Sequence, residues 1–172
     1  MSLQEIDDLS RDQLIGLLED ASLNWLAHDG LWFQAVESKF GTNTAIDCAK
    51  KSIGKYSELE ANRIKKRFGL TKGGIQTLIQ ALKFRMYHLI NEQKFSEVND
   101  KRCVFYMVGC RVQKSRQKKG LPDYPCKMVG IEEYTHFAHA IDPRIKTRCL
   151  ACPPDKHTKN YWCAWEFYIE DD

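Results

Sequence analysis

The distribution of proline along the chain constrains its fold more than any other feature. Residues 1–121 contain no proline, and all five prolines lie between residues 122 and 154. A proline inside a helix removes a backbone hydrogen bond, and its ring clashes with the preceding turn. The first part of this 172-residue chain can therefore form long helices, whereas the remainder is expected to contain shorter, interrupted elements.

Hydrophobic spacing divides the proline-free part into four predicted helices. Ser10 and Gln13 form a capping-box pattern ahead of the first helix, and the His28-Asp29-Gly30 sequence is expected to end it. Glycines follow the next two apolar patterns and are typical of helix C-termini. The predicted helices cover residues 11–27, 31–40, 42–68 and a segment capped by Thr71.

From about residue 85 the pattern changes to short apolar runs, rich in β-branched and aromatic residues and separated by polar turns. Such runs are typical of antiparallel strands, which we predict over residues 93–98, 104–108, 144–151 and 161–169. Pro125 introduces a helix over 126–141. The sequence thus predicts an α+β fold with two portions in one compact unit: a helical N-terminal portion, residues 1–84, packed on a cysteine-rich C-terminal antiparallel sheet flanked by helices, residues 85–172.

Charge and hydropathy limit the classes of protein to consider. The 26 basic and 23 acidic residues give a net charge of +3, too small to indicate nucleic-acid binding from bulk electrostatics. No apolar segment typical of export follows Met1, and no run approaches the ~18 apolar residues that a membrane span needs. We therefore expect a soluble, cytoplasmic protein without a membrane span.

Six of the seven cysteines lie at or beyond residue 103. A reducing cytosol keeps thiols reduced, so this distribution favours metal ligation or thiol chemistry over a disulfide framework. Cys149 and Cys152 form a Cys-x-x-Cys pair whose sulfurs can face one point, as a tetrahedral zinc site requires. The predicted metal ligands are Cys126, Cys149, Cys152 and Cys163.

Three alternatives to a zinc site remain open from the sequence. Four cysteines also suit an iron–sulfur cluster. Free cysteine is among the most buried residue types, so these thiols could instead pack in the core. Cys149 and Cys152 could also form a reversible disulfide in a redox-responsive protein.

Candidate catalytic residues lie in the same part of the chain. If Pro125 opens a helix, the positive helix end would favour the thiolate of Cys126 as a nucleophile. Asp155 and His157 are the nearby candidates for a general base. These three residues, Cys126, Asp155 and His157, are the catalytic candidates that the sequence offers.

A local basic segment indicates what ligand the protein could bind. Residues 101–122 contain seven basic residues and no acidic one. No aromatic residues lie between the basic residues of 111–120, which argues against binding of single-stranded nucleic acid. An anionic small molecule is favoured instead, because an arginine can bind a carboxylate through two hydrogen bonds. The predicted ligand-binding residues are Arg111, His28 and Trp32. Exposed aromatic side chains near Trp32 or Tyr161 would also permit a homodimer.

Seven short motifs carry a resemblance that spans nearly the whole chain. In these motifs the chain resembles a family of uncharacterised cytosolic proteins from anaerobic bacteria and archaea, whose domain has no known function. It is distantly similar to aminothiazoline-carboxylate hydrolase-like proteins and, in its C-terminal half, to the hydrocarbon-binding domains associated with bacteriochlorophyll vinyl reductases. The resemblance implies an antiparallel sheet flanked by helices and a ligand pocket near a cysteine cluster. The motifs are NWLAHDGLWFQAVE at 24–37, CRVQ at 110–113, KGLP at 119–122, PC at 125–126, DPRIKTRC at 142–149, CPPD at 152–155 and WCAWEF at 162–167.

These observations predict a small-molecule-binding protein with a cysteine-rich zinc site. One alternative is a hydrolase of a small carboxylated heterocycle or amide, in which a metal-activated water or Cys126 is the nucleophile and Arg111 holds the substrate carboxylate. The other alternative is a redox-responsive regulatory protein.

Overall fold

A computed structural model describes residues 3–156 and 158–170 of the chain. The helical N-terminal part and the C-terminal sheet flanked by helices confirm the predicted α+β class. Within the described residues the elements are α1 (Leu3–Asp7), α2 (Arg11–Phe40), α3 (Thr42–Phe68), α4 (Gly74–Lys83), α5 (Met86–Ile90), β1 (Gln93–Ser96), β2 (Arg102–Met107), α6 (Arg111–Lys118), α7 (Lys127–Ile141), β3 (Lys146–Ala151) and β4 (Cys163–Tyr168).

Helices α2 and α3 form a hairpin that turns at Gly41, whose φ of +83° favours glycine. Trp25 of α2 stacks on Tyr56 of α3 with ring centroids 5.2 Å apart, and it meets the ring of Tyr87 edge-on at 5.3 Å. The Ser10 capping box and the end of α3 at Gly69 are both confirmed. None of the helices in the described residues combines the length and apolar character needed to cross a membrane.

The predicted helix end at His28-Asp29-Gly30 is wrong, because α2 continues through it to Phe40. A glycine in a helix interior costs only about 1 kcal/mol relative to alanine, which tertiary packing can offset. Trp25 before the glycine packs on α3 and Phe33 after it packs on Tyr124, with ring centroids 4.6 Å apart. Contacts on both sides of Gly30 thus hold one continuous helix.

The four strands form one antiparallel sheet in the order β1-β2-β4-β3. In the register of β2 with β4, Phe105 lies opposite Trp165 and Cys103 lies opposite Phe167. Because side chains alternate across a strand, these four share one face, and they form a core with Phe137 of α7. Helix α7 lies between this inner face and α3, so it is the central helix of the fold.

The end of α7 is tied to the start of α4 by a buried carboxylate. Asp142 accepts a hydrogen bond from the backbone N–H of Gly74 at 2.8 Å and pairs with the Arg144 guanidinium at 2.7 Å. Hydrogen bonding to Arg144 holds the pKa of the Asp142 carboxyl well below its ordinary value of 3.8, although burial opposes this effect. Helix α4 begins at Gly74 rather than directly after Thr71, because Gly73 is its N-cap.

Candidate functional site

Four thiols lie at the end of the sheet where β3 stops and β4 begins. Cys126 is the N-cap of α7, directly after Pro125 as the sequence predicts. Cys149 pairs with Trp165 and Cys163 pairs with Met107, so both side chains are on the inner face of the sheet. We call Cys126, Cys149, Cys152 and Cys163 the thiol site.

A β-bulge in β3 explains how Cys149 and Cys152 reach the same side. Residues three apart in a regular strand face opposite sides of a sheet. In β3, Cys149 pairs with Trp165 but Ala151 pairs with Ala164, so Leu150 is an additional residue without a partner in the register. The extra residue reverses the alternation, and Cys152 follows on the inner face, where it is buried.

Cys152 is the centre of the contacts within the thiol site. Its sulfur lies 3.5 Å from the sulfur of Cys126, and it also makes side-chain hydrogen bonds with Cys149 and Cys163. These hydrogen bonds, together with burial, raise the pKa of the Cys152 thiol far above its ordinary value. The same interaction lowers the pKa of Cys149, against the effect of its partial burial. The pKa shifts of Cys152 and Cys149 are thus in opposite directions.

Side chains around the thiol site fix it in place and add positive charge. The buried amide of Gln113 donates to the carbonyl of Tyr124 at 2.8 Å and accepts from its N–H at 2.8 Å, and its nitrogen lies 3.7 Å from the Cys126 sulfur. The Lys127 ammonium pairs with Asp155 at 2.7 Å and lowers the pKa of Cys149. The sequence analysis assigned no role to Gln113 or Lys127, although Gln113 is part of one of the motifs quoted above.

A fifth thiol, Cys110, is close enough to interact electrostatically with Cys126 and Cys163. Burial is the main cause that raises its pKa to about 12. Within residues 3–156 and 158–170, no group of three or more His, Cys, Asp or Glu side chains is arranged so that it could hold a metal ion. Cys126 and Cys152 are in hydrogen-bonded contact, and zinc, like an iron–sulfur cluster, stays a prediction.

The predicted catalytic residues are only partly brought together. Cys126 and Asp155 both lie beside Lys127, because Lys127 follows the N-cap of α7 and pairs with Asp155. His157, the third candidate, lies outside the described residues. The ion pair with Lys127 occupies the Asp155 carboxylate, and a role for these residues in catalysis stays a prediction.

The predicted ligand-binding residues lie on two separate elements. His28 and Trp32 are exposed on α2. Arg111 is the first residue of α6, and its Nε donates to the carbonyl of Ile90 at 2.7 Å, so part of the guanidinium is used to join α6 to α5. A shared ligand site for Arg111, His28 and Trp32 stays a prediction.

A depression on the surface lies over the outer face of the sheet and has a volume of about 560 Å³. Glu166 is one of the residues that line it, with Arg102 at 2.5 Å and Arg148 at 3.2 Å. Arg148 also lies over the ring of Tyr168 at 5.0 Å from its centroid. The depression is open to solvent, so it resembles a charged surface more than an enclosed pocket.

A second buried polar centre, which the sequence analysis missed, joins α3 to α7. Arg85 is buried and pairs with Glu60 and Glu133, each at 2.7 Å. Its guanidinium also lies 4.7 Å from the ring centroid of Phe137. Burial raises the pKa of Glu133, whereas the charge of Arg85 lowers it. No spacing signal marks such a centre, because its members lie 25 and 48 positions apart in the sequence.

Comparisons with known proteins fit this fold. Among solved structures, the chain is similar to a trafficking protein particle complex subunit 3 from Naegleria fowleri covalently bound to palmitic acid, with a TM-score of 0.52, 8% identity, and coverage of 90% of this chain and 95% of that one. At this identity the likeness shows a shared fold alone. Among curated proteins, none matches the chain. The likeness to hydrolase-like and hydrocarbon-binding proteins, and the anaerobic origin, stay predictions. The profile of a family of unknown function (DUF6125) matches residues 7–169, nearly the whole chain, so the protein belongs to that family.

Proposed function

We propose that this protein binds a small molecule and holds a zinc ion between the sulfurs of Cys126, Cys149, Cys152 and Cys163. The observation that carries the proposal is the 3.5 Å contact between the sulfurs of Cys126 and the buried Cys152, whose thiol is also affected by Cys149 and Cys163. A buried thiol that serves only as a packing group needs apolar neighbours, whereas the sulfur of Cys152 contacts the sulfur of Cys126. Sulfur is also the donor type that zinc prefers in structural sites.

The distances support zinc at this place. A Zn–S bond of about 2.3 Å in a tetrahedral site puts two sulfurs roughly 3.8 Å apart. The sulfurs of Cys126 and Cys152 are 3.5 Å apart, so a shift of only a few tenths of an ångström would be needed for this pair. Zinc binding would replace the thiol protons, including the one that Cys152 shares with its neighbours.

Charge and burial support these four thiols as the ligands. Four thiolates around Zn²⁺ carry a net charge of about −2, and the Lys127 ammonium beside Cys149 and Cys152 partly offsets it. Gln113 lies against Cys126 and could orient its sulfur, as groups outside the ligand shell commonly do.

The small-molecule part of the proposal draws on the fold. The solved structure that shares it is described as covalently bound to palmitic acid, and a fold can carry different functions in different proteins. A small ligand with an acidic group would also suit the basic segment that contains Arg111. Palmitic acid is therefore a suitable first probe.

The test of the metal site is a zinc titration of the full chain after reduction and chelation, with a chromophoric competitor. We expect one zinc per chain, and roughly 10-fold or weaker binding in Cys152→Ser and Cys149→Ser. Cys48→Ser is the matched control, because Cys48 is exposed on α3, and it should bind zinc as the parent chain does.

The outcomes distinguish the alternatives. Failure of the fully reduced chain to bind zinc would contradict the metal site. Iron with visible absorption in anaerobically purified protein would favour a cluster, and loss of two free thiols on mild oxidation would favour the redox alternative. Native mass spectrometry with palmitic acid tests ligand binding separately, and absence of an adduct would contradict that probe as a ligand.

A further inference from the structure

Helix α2 carries a seam of exposed residues with alternating spacings of three and four. The seam runs beside the face of α2 through which Trp25 and Phe33 contact the rest of the chain. Two helices pack along such a seam when its positions repeat every 3.5 residues. All seven of its positions are exposed: Leu14, Leu17, Ala21, Asn24, His28, Leu31 and Ala35.

The exposed apolar residues beside the seam are unusually large. Leu18 is 59% exposed, Leu31 is 61% exposed and Trp32 is 63% exposed. Single exposed apolar residues are common, but a row of them along one helix marks an interaction surface. A second helix lying along this surface would cover the row.

The seam is complementary to itself when a second copy of α2 lies antiparallel to it. With Asn24 opposite Asn24 of the other copy, Leu17 lies opposite Leu31, and Leu14 opposite Ala35. Ala21 then lies opposite His28. Large side chains therefore lie opposite small ones or opposite leucines. The two Asn24 side chains meet at the centre, and a single buried asparagine pair of this kind fixes the register of coiled coils.

Charge favours the same arrangement. Residues 5–20 contain six carboxylates and a single arginine. The other end of α2 carries Asp29, Glu37 and Lys39, and Glu37 is paired with Arg116 of α6 at 2.9 Å. Positive charge is added there by the exposed Lys118 and Lys119 at the end of α6, where Lys119 reaches Gln34 at 3.1 Å. An antiparallel pair places the acidic half of one copy near Lys118 and Lys119 of the other, whereas a parallel pair would bring the two acidic halves together.

We propose that the protein is a homodimer in which two α2 helices pair antiparallel about Asn24. The seven residues of the seam are exposed, so the dimer can form without disturbing the fold. Both the apolar contacts and the charge pairs of this surface form only when the second copy is present. Trp32, predicted above as a ligand-binding residue, would then contact Leu18 of the other copy.

The first test is the mass of the full chain in solution, by light scattering and sedimentation over a range of concentrations. We expect twice 20.0 kDa for the parent chain. Leu17→Glu combined with Leu31→Glu should give the monomer mass with an unchanged far-UV spectrum, because both residues are exposed in the folded chain. Leu59→Glu is the matched control, an exposed leucine on α3 that should leave the dimer intact.

The second test fixes the direction of the pair. In a Cys48→Ser background, Asn24→Cys should form a cross-linked dimer under mild oxidation, because residue 24 lies at the symmetry axis. Ser38→Cys, also on the exposed side of α2, should not, since an antiparallel pair separates the two copies of residue 38 by roughly 40 Å. Raising the salt concentration should weaken the dimer several-fold.

Three results would overturn the proposal. The first is a parent chain that stays monomeric at all concentrations, and binding of that monomer to lipid vesicles would then assign the surface to a membrane. The second is a dimer that survives the double glutamate variant. The third is cross-linking through residue 38 but not residue 24, which would exclude the antiparallel arrangement.

Discussion

Helices α2 and α7 are opposites in how they use their apolar residues. Helix α2 has 30 residues, of which Ser22 alone is buried, whereas the 15-residue α7 has six buried residues. Helix α7 lies between the sheet and α3. Helix α2 is held by the ring contacts of Trp25 and Phe33 and by the ion pair of Glu37 with Arg116 of α6. The spacing of apolar residues in the sequence shows that a helix has an apolar face. Whether that face is buried depends on which other helices and strands pack against it.

The two helices are expected to differ most in how much a phenylalanine side chain contributes to the free energy of unfolding. Phe137 of α7 is fully buried, and Phe137→Ala should lower the free energy of unfolding by about 3–5 kcal/mol through lost burial and a cavity. Phe40→Ala at the end of α2, where the ring is 59% exposed, should change it by less than about 0.5 kcal/mol. Urea unfolding of both variants measures this, and equal losses would contradict the comparison.

A smaller effect is expected at the C-terminal end of α7. Asp142→Asn should cost about 1–2 kcal/mol, because it weakens the bond from Gly74 N–H and removes the pair with Arg144, an exposed and screened partner. The pKa of Asp142 is lower in the folded chain, so its stabilisation is complete above the ordinary value of 3.8 and is lost as the pH falls below it.

Unfolding measured from pH 7 down to pH 2 tests this prediction. The difference between the parent chain and Asp142→Asn should shrink as the pH falls. A constant difference over the whole range would show that the charge of Asp142 contributes nothing.

The smallest effects are expected from one glycine in each helix, and they have opposite signs. A Cβ at Gly130 of α7 would lie 2.6 Å from the Trp165 ring. Gly130→Ala should therefore destabilise the fold by about 1 kcal/mol, after the gain from the higher helix propensity of alanine is subtracted. A Cβ at Gly30 of α2 meets nothing within 4 Å, and Gly30→Ala should stabilise by up to about 1 kcal/mol. Thermal unfolding of both variants measures the two changes in stability. Changes of the same sign would contradict the difference in packing around the two glycines.

Local signals predicted much of the fold. The absence of proline before residue 122 predicted the helical portion, Gly69 predicted the end of α3, and Pro125 predicted the start of α7 at Cys126. Each of these depends on backbone geometry within a few residues. The continuation of α2 through Gly30 was missed, because ring contacts with distant residues outweigh the local cost of glycine.

The candidate site was predictable only as a set of cysteines. The sequence selected Cys126, Cys149, Cys152 and Cys163, but not the central place of Cys152, which depends on an extra residue in β3. The roles of Gln113 and Lys127 depend on how α6 and α7 pack at the end of the sheet. Such long-range arrangements leave no periodic pattern in the chain.

The bulge at Leu150 has a consequence for solubility as well as for the thiols. β3 is an edge strand of the sheet, and exposed edges can recruit strands from other chains into aggregates. The unpaired residue interrupts the regular spacing of backbone donors and acceptors, and the side chains of Lys146 and Arg148 add charge along the same edge. The residue that brings Cys149 and Cys152 to one side therefore also protects the sheet against growth into fibrils.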